Sequence, residues 1–220
     1  HYDHLCRIGC CCDAIVGVSD ALSNHLKSIA PEFAPRIDTI PYGVALSDEN
    51  RTASPQARTA DSGDRLRIIY AGRLVREQKR AHDVVAIARM LQDRGVPFDM
   101  IRERRLWFTG TQPNAGVLAL LEASDAFLMP SAFEGLSVGM LEAMSRGVVP
   151  VVSDIRSGVP DVLVPGENGL TAPEGEVAAF ADRLEWLWRH PAERSRMAAA
   201  AQATVHAVNA LDHVVDLPIA

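Results

Sequence analysis

One stretch, from Phe127 to Val152, narrows the fold of this chain more than any other. Phe127-Leu128-Met129 is a short apolar strand, Gly135 permits a sharp turn, and Leu136 to Arg146 has the pattern of a helix. Gly147 stands where a helix C-cap belongs, and Val148 to Val152 is mostly β-branched. A strand-turn-helix-strand unit of this kind exposes a helix N-terminus just past the first strand. Free backbone N–H groups and the positive end of the helix dipole make that place a site for phosphate or another anion. Two carboxylates, Glu134 and Glu142, bracket it. At roughly 1.5 Å of rise per residue they stand about 12 Å apart if the whole span is helical. A glycosidase working through a covalent intermediate needs its carboxylates about 5 Å apart. The pair therefore better suits the two ends of one extended ligand.

The rest of the chain repeats the alternation. Ala14 to Val18 reads as a buried strand, Ser19 as the cap of a helix from Asp20 to Ile29, and Ile37 to Ile40 as a second strand after Pro31 and Pro35 break the chain. Leu66 to Tyr70 is a strand that runs into Gly72, Arg73 and Lys79, and His82 to Leu91 is a helix with one apolar side. Cations just past the carboxyl end of a strand are where open α/β sheets bind ligands, although on composition alone a solvated loop is the favoured reading of Arg73 and Lys79. Helices are expected at Asn114 to Ala123, Glu174 to Trp188 and Pro191 to Val208, a helical turn at Pro160 to Leu163, and an edge strand at Leu170-Thr171. Strands alternating with helices from Ile68 onward specify an α/β fold, a doubly wound parallel sheet.

One junction breaks the pattern. Val96 to Ile101 and Leu106 to Phe108 both look like strands, yet only Arg102-Glu103-Arg104-Arg105 separates them, and a parallel crossover takes a dozen or more residues. Either one of the two is not a strand of that sheet, or a helix is missing. Arg102, Arg104 and Arg105 are most simply a solvated stretch, with a phosphate contact as the alternative.

Charge and composition exclude several classes. At 220 residues, 48% hydrophobic, the chain can bury a core. A formal charge of -6 gives no support for a nucleic-acid partner. No apolar run reaches the roughly 20 residues that span a bilayer, and no signal-peptide pattern opens the chain, so a cytoplasmic protein is expected. Cys6, Cys10, Cys11 and Cys12 lie together with His1 and His4 nearby, but no second Cys or His pair follows at zinc-site spacing. A helix carrying reduced thiols is the simpler reading, and no metal site is assigned.

These motifs together resemble the C-terminal, donor-binding half of a GT-B glycosyltransferase, most similar to family 4 of the retaining glycosyltransferases. The resemblance runs through Val18-Ser19, Ile40-Pro41-Tyr42-Gly43-Val44, Tyr70-Ala71-Gly72-Arg73-Leu74 with Gln78-Lys79, Phe108-Thr109-Gly110, Ser124-Asp125-Ala126, Pro130-Ser131 and Pro165-Gly166-Glu167-Asn168-Gly169. Its most specific element is Glu134, seven residues, then Glu142. The resemblance implies that Arg73 and Lys79 hold a nucleotide diphosphate and stabilise the charge that grows on it as the glycosidic bond breaks. It implies that backbone amides of Gly135, Leu136 and Ser137 meet the same phosphates, that Gly72 allows close approach, that Glu142 accepts hydrogen bonds from the ribose hydroxyls, and that Glu134 faces the donor sugar. The donor is then a nucleotide-diphosphate sugar and no cofactor or metal is obligatory. The acceptor is a carbohydrate, lipid-linked or small-molecule hydroxyl. Retention needs no protein nucleophile in this scheme, because a donor phosphate oxygen takes the acceptor proton.

The resemblance also implies a division of the chain: 1–46 as a remnant of the interdomain region with the first strand and helix, 47–65 as a flexible linker, 66–208 as the Rossmann-like donor domain, and 209–220 as a tail. On this resemblance the family's N-terminal Rossmann domain is expected to be absent from this sequence, and with it the acceptor site and any peripheral membrane contact made through that half. The strand, glycine-rich turn and helix expected after Phe98 are absent too, in keeping with the crossover anomaly. The alternatives are a nucleotide-sugar-binding module that needs a partner domain, and a GT-B sugar-nucleotide epimerase.

Overall fold

Among the described residues, the apolar runs form two parallel sheets of unequal size. The computed structural model describes residues 9, 11–44, 46, 65–100 and 110–208. In the smaller sheet, β1 (Ile15–Gly17) pairs with β2 (Ile37–Thr39), and α1 (Asp20–Ile29) crosses between them. Ser19 caps α1 by accepting from the Leu22 amide at 3.2 Å. Gly17 brings the helix close, since a Cβ there would lie 2.2 Å from the Ser23 hydroxyl. Pro31–Arg36 forms a 3-10 helix rather than the simple break its prolines suggest. Pro31 opens it, where no amide is needed, and Phe33 is buried against Ala30 and Ile37.

The larger sheet has five parallel strands: β3 (Leu66–Ile69), β4 (Phe98–Met100), β5 (Ala126–Met129), β6 (Val149–Asp154) and β7 (Leu170–Pro173), in the order β4-β3-β5-β6-β7. Strand β7 lies at one edge, as expected. Between the strands run α2 (Ala81–Asp93), α3 (Asn114–Glu122), α4 (Val138–Ser145) and the short α5 (Val159–Val162), followed by α6 (Val177–Arg189) and α7 (Pro191–Val208). Leu66, Ile68 and Leu128 pack with Ile87 and Leu91 of α2 and Leu184 of α6 on one face. Ile69, Phe127 and Met129 pack with Met140 and Met144 of α4 and Val205 of α7 on the other. Covering both faces is what lets β5 be buried along its whole length without alternating polar residues. The sheet is thus the doubly wound α/β arrangement that the alternation predicts.

Asp125, buried just before β5, ties β5 to β3. Its carboxylate accepts from the Arg67 amide at 2.9 Å and from Arg67 Nε and Nη2 at 3.0 Å each. Arg65, the one described residue of the expected linker, forms an ion pair with Asp99 of β4 at 2.8 Å. The Leu106 to Phe108 strand, the arginines before it, most of the cysteine helix and the tail lie outside the described residues. Elsewhere the expected elements stand within a few residues of their predicted ends, with one difference that matters for the site. Helix α4 begins at Val138, two residues later than expected, because Ser137 is its cap and accepts from the Met140 amide at 3.3 Å.

Candidate functional site

The strand order reverses between β3 and β5. From β3 the chain moves outward to β4, then returns to the other side of β3 to lay down β5, β6 and β7. Loops leaving the carboxyl ends of β3 and β5 therefore diverge and leave a crevice, the position where open α/β sheets take ligands. The first loop carries Gly72, Arg73 and Lys79, and the second carries Glu134, Gly135 and Leu136.

The two loops touch. Lys79 Nζ lies 2.6 Å from Glu134 Oε1, with the lysine side chain 18% and the glutamate side chain 8% exposed. Two residues that only a motif connects in sequence thus form one mostly buried ion pair. The Ala132 amide donates to the Gln78 carbonyl at 2.8 Å and locks the loops together at backbone level. Just beyond Lys79, Arg80 adopts a left-handed backbone (φ 46°) and an ion pair with Asp83 at 2.6 Å. Among described non-glycine residues it alone has positive φ, a conformation that persists only where the surroundings enforce it.

Arg73 is exposed, and its Nη2 donates to Gln78 Oε1 at 2.9 Å. Beneath it, the Tyr70 hydroxyl donates to the Arg73 carbonyl at 2.7 Å. Burial first, then the Glu134 carboxylate, push the Tyr70 hydroxyl up to about 12, with Arg73 pulling the other way. The hydroxyl is therefore a neutral donor throughout the physiological range. Gly72 leaves room for the Tyr70 ring, since a Cβ would lie 3.1 Å from the hydroxyl oxygen and 3.3 Å from the ring, and the tyrosine would have to give by a few tenths of an ångström.

Helix α4 starts beside this loop, for a Cβ on Gly139 would meet the Ala71 carbonyl at 3.8 Å. With the Ser137 hydroxyl capping the Met140 amide, the amides left without an intrahelical acceptor are those of Ser137, Val138 and Gly139, at the cap and the first two helical positions. Gly135 and Leu136 precede the helix, and Leu136 is buried in the core. Glu142 is half-buried on α4, three and four residues beyond Gly139 and Val138, so it shares their face one turn further along. Glu134 lies in the turn outside the helix, so the helical spacing does not measure its separation from Glu142.

The turn is braced from behind by the smaller sheet's end. The Gly158 amide donates to the Gly135 carbonyl at 2.5 Å. A Cβ on Gly158 would lie 2.5 Å from Ser19 Cβ, and one on Gly135 would lie 3.1 Å from Val18 Cγ2. Asp161 of α5 accepts from the Asp20 amide at the start of α1 at 3.0 Å. Tyr70 and Gln78 stand in the sequence motifs without a role, and Gly158 carries no signal there; Tyr70 and Gly158 each donate to a neighbour's backbone carbonyl, and Gln78 accepts from the Arg73 side chain and the Ala132 amide. Among the described residues no cluster of His, Cys, Asp or Glu could hold a metal ion, and no helix is long and apolar enough to cross a membrane.

Residues 101–204 match the family model for Glycosyl transferases group 1. The putative colanic acid biosynthesis glycosyltransferase WcaL of Salmonella typhimurium is 30% identical over 210 residues, which cover 83% of this chain and 48% of the relative. The chain thus spans about half the length of that relative. Among solved structures, TarM of S. aureus superposes with a TM-score of 0.80 at 15% identity, over 97% of this chain and 44% of TarM. The pneumococcal O-GlcNAc transferase GtfA gives 0.75 at 18% identity, over 98% and 46%. By family model over part of its length and by relatives over most of it, the chain is similar to glycosyltransferases, and its fold matches GT-B structures.

Proposed function

We propose that this chain is the donor-binding portion of a retaining glycosyltransferase of family 4 type, which moves a sugar from a nucleotide-diphosphate sugar to an acceptor hydroxyl. The observation that carries the reading is the Lys79–Glu134 pair, which draws the β3 loop and the β5 turn together where the strand order reverses. TarM and GtfA, whose folds this chain shares, were each captured with UDP, in keeping with a nucleotide donor.

In this reading the donor diphosphate lies against the turn of Gly135 and Leu136 and the start of α4, where the Ser137, Val138 and Gly139 amides and the helix dipole favour an anion. Arg73 and Lys79 supply cationic charge from the other wall and stabilise the leaving diphosphate as the glycosidic bond breaks. Glu142, one turn into the helix, accepts from the ribose hydroxyls, and Glu134 meets the donor sugar. The acceptor hydroxyl gives its proton to a phosphate oxygen of the donor, so the chain need provide no nucleophile. Since the protein cations balance the diphosphate charge, no metal or other cofactor is obligatory. The acceptor and water exclusion belong to the other half of the cleft. Any membrane contact belongs there as well.

Calorimetry of the chain with UDP, GDP and ADP tests the reading. One of them should bind, with at least tenfold loss on Glu142→Ala or Arg73→Ala, the size expected for a hydrogen bond to a charged group. No affinity for any of the three would sink it.

A further inference from the structure

Arg73 sits on an exposed loop, yet it is tied down at both ends. Its carbonyl accepts from the Tyr70 hydroxyl at 2.7 Å and from the Val75 amide at 2.9 Å, and its guanidinium donates to Gln78 Oε1 at 2.9 Å. The Tyr70 ring end lies against Gly72, the residue before Arg73, where a Cβ would stand 3.1 Å from the hydroxyl oxygen. Gln78 also fixes the loop to the opposite wall, because its carbonyl accepts from the Ala132 amide two residues before Glu134.

We propose that Tyr70 and Gln78 are positioning residues that hold the Arg73 guanidinium in place before the donor diphosphate arrives. The inference rests on the donor-site reading and deepens it. A long exposed arginine has many rotamers to lose when it grips a ligand, and fixing it beforehand removes that cost from the binding step. The identity of the holder matters as much as the hold. Lys79 is paired with a carboxylate, which offsets its charge. Gln78 is a neutral acceptor, so Arg73 is oriented while its charge stays whole. Tyr70 is likewise a neutral donor at working pH, and it acts on the backbone, leaving the side chain's remaining N–H groups to the ligand.

A double-mutant cycle on the full chain, read by calorimetry with the nucleotide that binds, separates positioning from general support of the fold. Tyr70→Phe and Gln78→Met should each weaken binding by about five- to tenfold, the effect of roughly one hydrogen bond. Neither should change it in an Arg73→Ala background. Equal losses with and without Arg73 would overturn the proposal, and so would unchanged affinity with Arg73 present. If the unaltered chain binds none of UDP, GDP and ADP, the donor-site reading falls and a second measurement decides the positioning claim. In the ligand-free chain, nuclear spin relaxation of Arg73 Nε–Hε should report a restricted side chain that gains motion in Gln78→Met. Equal motion in the two would refute it.

Discussion

Lys79 and Glu134 show what the site asks of single residues. Each is held mostly out of water and is tolerable there because the other is present. Removing one partner of such a pair leaves a charge with too little solvation, whereas replacing both by neutral groups does not. Lys79→Met should therefore cost about 3 kcal/mol in urea unfolding. Lys79→Met with Glu134→Gln should recover most of that loss, and a double variant as unstable as the single one would contradict the account. Both residues were legible in sequence, because a charged motif past a strand end is visible without coordinates. Tyr70 and Gln78 were legible only as members of the motif, without a role. A tyrosine closing a strand reads as core, and nothing in sequence says that a glutamine's two oxygens bind an arginine and the amide of Ala132. Leu136 misled the helix boundary for a related reason. It fits the apolar period of α4, but the turn buries it, and Ser137 starts the helix.

At the level of elements, the joint between α1 and α5 carries the tension. Burial pushes the Asp161 carboxyl up, the hydrogen bond from the Asp20 amide draws it part of the way back, and the Asp20 carboxylate raises it again. A carboxyl with a raised folded value binds its proton more tightly folded than unfolded. Stability therefore falls as pH climbs from the ordinary carboxylate range through the raised value, and the favourable contribution is complete only below that range. The site is largely exposed, so the effect is small. Asp161→Asn keeps an oxygen for the Asp20 amide and removes the charge. Its urea midpoint relative to the unaltered chain should improve between pH 4 and pH 7, and a relative decline over that interval would contradict the sign. The strands and helices of the main sheet were legible because period and length agreed. The 3-10 helix at Pro31–Arg36 was not, since prolines that end an α-helix also start a tighter one around a buried Phe33.

For the molecule as a whole, the parallel sheet turns distant segments into neighbours. Binding to the folded chain alone adds about 2.7 kcal/mol when the nucleotide is at 100 times its Kd. In a domain of this size that should raise the melting temperature by roughly 5–10 °C, and no shift with any nucleotide would count against a donor site. Lys79 and Glu134 stand 55 positions apart, and they meet only once β3 and β5 lie side by side. No hairpin, single helix or local collapse can assemble that crevice ahead of the rest. Nucleotide affinity is thus a gauge of completed folding: along a urea titration it should disappear together with the helical circular-dichroism signal, because a half-formed sheet leaves its two walls on separate stretches of chain.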